Sequence, residues 1–535
     1  TAGLTLAAHL SEDPNVTVLV LEAGNANLDD PAILVPAQYL RLADERYDWK
    51  FVTTEQRYCN NRQYVWPRGK GLGGSSAANF MAYIRPSVGD VDAWEELGNP
   101  GWNWNHYLKY SKRSEKWVCV KKIGCHFLTH VRFTDPSPEQ TIKYRQTSEE
   151  RFHGRNGELE VCFPPLIMDG EAPYQMVLHS SVAFLEPNLV RNNLLVLPGA
   201  NVSRLLFQEP DDLSASKDLS VLKVEEVEFS RGEATLTVRP TRDVILCAGT
   251  LKSPQVLDLS GIGNPSVLAP LGVDCKIALD GVGENVQEHI YFLWWAYSMF
   301  ARDLSLVSES QQGIHTLGLA GFTFTPMQQV CPNADELITS HCAKLKSLYQ
   351  DGKISLALWE QYQIQMRVLQ SETSVDMEWT TIPQCHTFRT QPEDGKQYMT
   401  VLVALNRPFS RGSIHIASRD PVEQPLMDPH YFEHDFDMQL LVEGLKFARK
   451  VAEEEPFRSC IVREVDPGPA VQTDKEMREY IIDGLMTAFH TVGSCSMLPR
   501  EKGGVVDSRL KVYGTENVRV VDLSIVPLHI AAHTQ

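Results

Sequence analysis

Thr1-Ala2-Gly3-Leu4-Thr5-Leu6-Ala7-Ala8-His9-Leu10-Ser11, a turn at Asp13-Pro14, and then Val16-Thr17-Val18-Leu19-Val20-Leu21-Glu22-Ala23-Gly24: this stretch decides the reading of the fold. The pattern predicts a short helix from Gly3 to about Ser11 and a strand over 16–21. An apolar, β-branched run that closes on an acid is how the second strand of a dinucleotide-binding βαβ unit reads. The acid accepts hydrogen bonds from a ribose diol and stands about 20 residues beyond the glycine loop. Glu22 lies 19 residues after Gly3. Gly3 therefore takes the place of the last glycine of G-x-G-x-x-G, with the first strand and the other two glycines expected before Thr1. Many βαβ units without a nucleotide also end a strand on Glu, so the rest of the chain has to decide.

The bulk properties narrow the field. A chain of 535 residues is long enough for two or three domains, or two interleaved lobes, with large cores. Hydrophobic and charged contents of 43% and 22% are those of an ordinary globular protein. A net charge of −18 argues against nucleic acid or an anionic membrane as partner. No apolar run reaches transmembrane length. The best of them, Tyr291 to Phe300, contains Trp294 and Trp295 and reads as an aromatic strand beside a pocket. The eleven cysteines show no paired spacing; Cys247 reads as a buried thiol, and Cys331 could pair with Cys342.

A second glycine-rich stretch follows, Trp66-Pro67-Arg68-Gly69-Lys70-Gly71-Leu72-Gly73-Gly74-Ser75-Ser76-Ala77-Ala78-Asn79. Glycines among small hydroxylated residues let backbone N–H groups approach a phosphate closely. The apolar segment Phe80-Met81-Ala82-Tyr83-Ile84-Arg85-Pro86 is expected to pack beneath it. Residues 87–117 read as amphipathic helix anchored by Trp94, Trp102 and Trp104. Residues 118–133 break this texture: they hold no acid, and Cys119, Cys125, His126 and His130 match no zinc-finger spacing. We read them as an aberrant insertion forming a poorly packed surface loop.

From Leu194 to Gly249 the chain is strand-rich. A helix is then expected from Ser253-Pro254 up to the Gly261-Ile262-Gly263 turn. The next landmark is Gly281-Val282-Gly283-Glu284-Asn285-Val286-Gln287-Glu288-His289. Residues 290–480 differ in kind: helices around Leu337 to Leu369 broken at Gly352, an alternating strand at 398–403, and a helix over 435–454. Met438, Leu441, Val442, Leu445, Ala448 and Val451 share one face of that last helix. This is the pattern of a second lobe, an antiparallel sheet covered by helices. Strands and glycines return after His490, so the first lobe is discontinuous.

Two histidines stand among small residues near the end of the chain. They are His490 in Phe489-His490-Thr491-Val492-Gly493-Ser494 and His533 in Ala531-Ala532-His533-Thr534-Gln535. A lone His is more often structural than catalytic; small neighbours leave room for a ligand. Together the motifs resemble the FAD-dependent glucose–methanol–choline (GMC) oxidoreductases almost from end to end. Residues 68–86 resemble the first signature of that family and 249–263 the second. Residues 283–289 and the two C-terminal segments match its other landmarks, in the style of fungal aryl-alcohol oxidases and dehydrogenases.

The resemblance implies an α/β fold: a Rossmann-like FAD lobe over 1–140, 190–289 and 481–535, and an α+β substrate lobe over 141–189 and 290–480. Thr1, Ala2, Gly3, Glu22 and Ala23 would hold the ADP part of FAD, and Val202 would touch adenine. Gly71, Ser75, Asn79, Phe80, Met81 and Ala82 would line the pyrophosphate and flavin. Asp522 and Leu523 would approach the pyrophosphate side, and Thr534 and Gln535 the flavin ring. Ala78 stands where covalently flavinylated members carry a His, so FAD is expected to be noncovalent, with no metal. The implied reaction takes a CH–OH group of a small alcohol to a carbonyl, His490 removing the hydroxyl proton as hydride passes to flavin N5. Near-neutral basicity suits His to that task, and His533 would donate a hydrogen bond to the developing alkoxide or share the base role. Oxygen or a quinone would then accept the electrons. Non-redox chemistry on the same scaffold (a lyase or cyclase) is the alternative, as is an inactive product truncated at both termini. Substrate identity, oligomeric state and compartment are not legible in the sequence.

Overall fold

The computed structural model describes all residues except 35–41, 43, 81, 118–149, 163–175, 178–179, 209–220, 299–320, 383–389, 394–395, 456 and 535. The expected surface loop at 118–133, and the expected contacts of Met81 and Gln535, therefore lie outside the described residues.

Helix α1 (Ala2–Leu10) leads into strand β1 (Val18–Glu22). Leu4 and Ala7 of the helix pack with Leu72, Leu185 and Leu194, with Val18 and Val20 of the strand against them. Two helices, α2 (Val88–Glu96) and α3 (Trp104–Ser114), fill the predicted 87–117 helical region. Helix α2 starts on a capping box: the Ser87 side chain takes the Asp90 N–H and the Asp90 carboxylate takes the Ser87 N–H, which satisfies two otherwise orphaned donors.

Strand β2 (Leu194–Pro198) runs parallel to β1, Val18 opposite Leu194 and Glu22 opposite Pro198. An antiparallel meander follows, β3 (Asn201–Phe207), β4 (Val224–Arg231) and β5 (Ala234–Val238). Strand β6 (Val244–Leu246) pairs in parallel with a strand from the far end of the chain, Val518–Val520. The first lobe thus contains two parallel pairs whose members are distant in sequence.

Helix α4 spans Gly249–Leu259 and starts four residues before the expected Ser253-Pro254. The cause is tertiary. The Asp522 carboxylate accepts from the Gly249 N–H (2.9 Å) and the Ser253 hydroxyl (2.6 Å), capping the helix from outside. Pro254 then lies inside the helix, where it offers no N–H to the Thr250 carbonyl. That carbonyl instead accepts from the Ser494 hydroxyl at 2.6 Å. The imported partner removes the penalty that made Pro254 look like a start signal.

The region after residue 290 is built on an antiparallel sheet. Its strands are β7 (Ile290–Ser298), β8 (Gly321–Thr325), β9 (Met377–Ile382), β10 (Gln397–Leu405) and β11 (Ile461–Asp466), in the order β8-β9-β10-β7-β11. The short strand β12 (Met486–Thr487) pairs with the start of β7, and Val518–Val520 is β13. Helices α5 (Ala334–Gln350) and α6 (Leu356–Leu369) flank the predicted break at Gly352. Helix α7 (Asp435–Ala452) and α8 (Asp474–Gly484) complete the cover. On α7 the apolar face read from the sequence is buried, except that Val451 is half-buried. Each fully buried Leu of that face contributes roughly 1.5–3 kcal/mol. The helix lies so close to the sheet that a Cβ on Gly444 would stand 2.8 Å from Val403 and 2.9 Å from Met377. Cys331 and Cys342 are free thiols, and Cys331 Sγ donates to Asn333 at 3.0 Å. Among the described residues no helix is long and apolar enough to cross a membrane.

Candidate active site

Strand β7 opens with Glu288-His289 just before it, and β12 ends just before His490. Their pairing, Ile290 opposite Thr487, brings the two segments side by side. The Gln287–Val492 backbone bridge continues the contact. The connection to His490 is sharp: Phe489 has φ of +64°. A bulky residue in this left-handed region costs roughly 1–2 kcal/mol. Two hydrogen bonds hold it there. The Phe489 N–H donates to the Thr487 hydroxyl (3.0 Å), and the His490 N–H donates to Glu288 Oε1 (2.8 Å). Glu288 also accepts from the Thr491 hydroxyl and faces Arg68 Nη2 at 3.5 Å. Burial pushes the Glu288 carboxyl up, and Arg68 opposes it.

Four imidazoles meet here. The His490 and His533 ring centres are 4.8 Å apart with planes at 42°. His490 Nδ1 lies 3.0 Å from His289 Nδ1, and His289 Nε2 lies 2.9 Å from the Ile530 carbonyl. His529 stacks on His289 at 3.7 Å and bonds the His490 carbonyl through Nε2 at 2.8 Å. Burial first, then the neighbouring imidazoles and Arg68, push His490 well below its ordinary value of 6.5. His289 is likewise held far below by burial and the other three histidines, and burial takes His529 down to about 4. These rings are therefore neutral at physiological pH.

His533 is ordered from the opposite side. Its Nε2 lies 3.0 Å from Glu378 Oε1 on β9, and Phe322 of β8 meets its ring edge-on at 5.0 Å. Burial pushes the Glu378 carboxyl up, but His533, Asn406 and Thr380 outweigh it and leave it below the usual carboxylate range. An ionised carboxylate only accepts, so His533 donates from Nε2.

The residues expected at a cofactor converge in part. The Thr1 hydroxyl donates to the Gly73 carbonyl (2.9 Å) and accepts from the Ser76 N–H (3.1 Å). Glu22 accepts from the Gly24 N–H at 2.8 Å, and its burial, partly offset by the Gly24 and Gly71 N–H groups, pushes its carboxyl up. A Cβ on Gly24 would lie 2.4 Å from the Gly71 nitrogen, so only glycine lets the strand end meet the second glycine loop. Ser75 accepts from the Gly69 N–H at 3.2 Å, Ala82 is buried, and Phe80 is exposed. Val202 lies on β3 opposite Phe229. Ala2 opens α1 and Ala23 follows β1. Leu523 receives the Gly493 N–H on its carbonyl, which ties 522–525 to the His490 segment. Asn79 and Thr534 lie at the two loop ends beside Phe80 and His533. A cavity of about 720 Å³ is bounded by Thr1, Ser76, Tyr83, Trp94, Trp102 and Tyr107; neither His490 nor His533 lines it.

The sequence reading missed the neighbours of the two histidines. His289 stood in a recognised landmark without a role. His529, Glu288 as a brace and Glu378 carried no local signal, because each acts on a residue far along the chain.

The chain is similar to known proteins over its whole length. Residues 16–291 and 408–535 match the two family models described as GMC oxidoreductase. A GMC oxidoreductase family protein, Mala s 12 of Malassezia sympodialis, is 31% identical over 100% of this chain and 88% of its own length. An oxygen-dependent choline dehydrogenase of Chromohalobacter salexigens is 28% identical over 98% of this chain and 89% of its own. The solved FAD-dependent oxidoreductase from Chaetomium thermophilum superposes with a TM-score of 0.82 at 25% identity, covering 99% of this chain and 94% of that one.

Proposed function

The chain belongs to the GMC oxidoreductase family, and from that premise we propose that it oxidises the CH–OH group of a small alcohol to a carbonyl with noncovalently held FAD. One observation carries the reading: two imidazoles face each other at 4.8 Å, His490 neutral and His533 held by an anionic Glu378. His490 takes the hydroxyl proton. His533, oriented by its hydrogen bond to Glu378, would donate a hydrogen bond to the developing alkoxide or share the base role.

The residues present fit FAD. Glu22 is a half-buried carboxylate whose hydrogen bonds come from backbone N–H groups, and a ribose diol supplies the donors that offset its desolvation. The loop around Gly71, Ser75 and Asn79 supplies N–H groups and small side chains beside it. Thr1 to Gly3, Ala23 and Val202 would hold the ADP part, Asp522 and Leu523 the pyrophosphate side, and Phe80 to Ala82 with Thr534 and Gln535 the flavin. When bound, FAD supplies the hydride acceptor, and oxygen or a quinone reoxidises it. Ala78 has no nucleophile, which supports noncovalent attachment. The parallel pairs β1–β2 and β6–β13 support a Rossmann-like, discontinuous FAD lobe (1–140, 190–289, 481–535). The helix-covered sheet of 290–480, with 141–189, would form the substrate lobe.

Anaerobic mixing of the FAD-loaded protein with a panel of aliphatic and aryl alcohols tests this. Bleaching of the flavin's visible band by at least one alcohol is expected; a band unchanged by every alcohol would sink the redox reading in favour of non-redox chemistry.

A further inference from the structure

The tautomers of the histidine cluster follow from its hydrogen bonds. His289 Nε2 faces the Ile530 carbonyl at 2.9 Å. A carbonyl only accepts, so His289 carries a proton on Nε2. A neutral imidazole has one N–H, so His289 Nδ1 is a bare acceptor. The contact of 3.0 Å between this atom and His490 Nδ1 then requires a proton on His490 Nδ1. His490, neutral in turn, has its lone pair on Nε2, and among the described residues that atom makes no hydrogen bond.

We propose that His289 is the positioning residue of the base: by accepting the Nδ1 proton of His490 it keeps Nε2 unprotonated and able to receive the substrate's hydroxyl proton. The proposal rests on the reading of His490 as the base. It deepens that reading by naming the group that decides which nitrogen is reactive.

The surroundings oppose every other arrangement. A His289 with its proton on Nδ1 would turn a lone pair toward the Ile530 carbonyl at 2.9 Å, two acceptors in contact in a buried site. A cationic His289 would donate from both nitrogens, and His490 would then have to carry its own proton on Nε2, which removes the base. The charged and titratable groups facing His490 are His533, His529, Arg68 and His289, with Glu288 on its backbone N–H. The cationic Arg68 disfavours a second proton on the His490 ring. The His529 ring, stacked at 3.7 Å and 20°, clamps the plane of His289 and so the direction of its Nδ1 lone pair. When the substrate's proton arrives on Nε2, His490 becomes an imidazolium that still donates from Nδ1 to His289. The receiving contact is therefore in place before and after the transfer.

The test reads the tautomer directly in the full, FAD-bound chain labelled with ¹⁵N-histidine, the His490 signals assigned by their loss in His490→Ala. The wild type is expected to show His490 as the Nδ1–H form. His289→Phe removes the acceptor and is expected to move the proton to Nε2 and lower kcat by about 100-fold with little change in KM. His289→Gln, whose amide can both accept and donate, should keep the Nδ1–H form and recover most of kcat. A wild-type His490 protonated on Nε2 overturns the proposal. So does a His289→Phe protein that keeps the Nδ1–H form and full kcat. If His289→Phe fails to fold, the wild-type tautomer and the His289→Gln kinetics decide alone. Should His490→Ala still bleach with alcohol at the wild-type rate, it is the base assignment that fails, whatever the tautomer proves to be.

Discussion

Two groups of buried histidines occupy this molecule and do opposite things with the same side chain. At the junction of β7 and β12, His490 and His289 form a directional chain ending on the Ile530 carbonyl, with His529 stacked on His289. Beneath α7, His341 stacks on Phe436 at 4.3 Å and meets Phe409 edge-on at 4.5 Å, with His434 at 5.6 Å. There Tyr362 bonds His434 Nε2 at 3.1 Å, while His341 Nε2 and His434 Nδ1 have no hydrogen-bond partner among the described residues. Burial pushes His341 down to about 3 and His434 to about 4. Burial lowers the basicity of both groups, so low basicity does not mark a catalytic histidine. The difference is the hydrogen-bond chain, which orients protons in one group and is incomplete in the other.

The comparison breaks most visibly in turnover. His490→Ala should lower kcat for alcohol by about 10²–10⁴-fold, the usual worth of a general base, whereas His341→Phe should leave turnover unchanged. Stopped-flow reduction of the FAD under anaerobic conditions measures both. Equal losses would mean that the two groups are not functionally distinct.

Acid stability gives a second readout, of the pair beneath α7. His341 and His434 bind a proton in the unfolded chain near 6.5 but in the folded chain only near 3 and 4. Their neutral packing is therefore fully stabilising above about 6.5, and stability is lost as pH falls from there toward 4. The combined loss is on the order of a few kcal/mol. His341→Phe should flatten the dependence of unfolding free energy on pH over that window, as read by denaturant melts at fixed pH. A variant slope as steep as the wild type's would remove His341 from the acid-labile set.

The smallest effect sharpens the proposed catalytic group itself. Glu378→Gln keeps the shape of the His533 partner and removes its charge. We expect kcat/KM to fall about tenfold, with FAD content unchanged. A drop as large as that of His490→Ala would make His533 and Glu378 the principal base system.

Much of this was legible because it is local. The strand closing on Glu22, the small-residue loop from Gly69 to Asn79, the α7 face and the contexts of His490 and His533 are each set by residues a few positions apart. Their chemistry shows wherever the chain goes: periodicity selects the element, and glycine permits close approach. The early start of α4 was not legible, because its cap is Asp522 and the substitute for the missing Pro254 N–H is Ser494. Local punctuation pointed to Ser253 only because those partners lie 273 and 244 residues away in sequence.

By itself, then, the sequence determined the two-lobed α/β character, the glycine loops and the two histidines worth watching. Only the tertiary structure decided what those histidines are. A histidine's tautomer depends on which groups touch its two nitrogens, and here the partners are 201 residues away for His490 and 155 for His533. No short-range pattern encodes such a contact. The pairing of β7 with β12 and the seat of His533 beside β9 create it, and with it the contacts on which the proposed base depends.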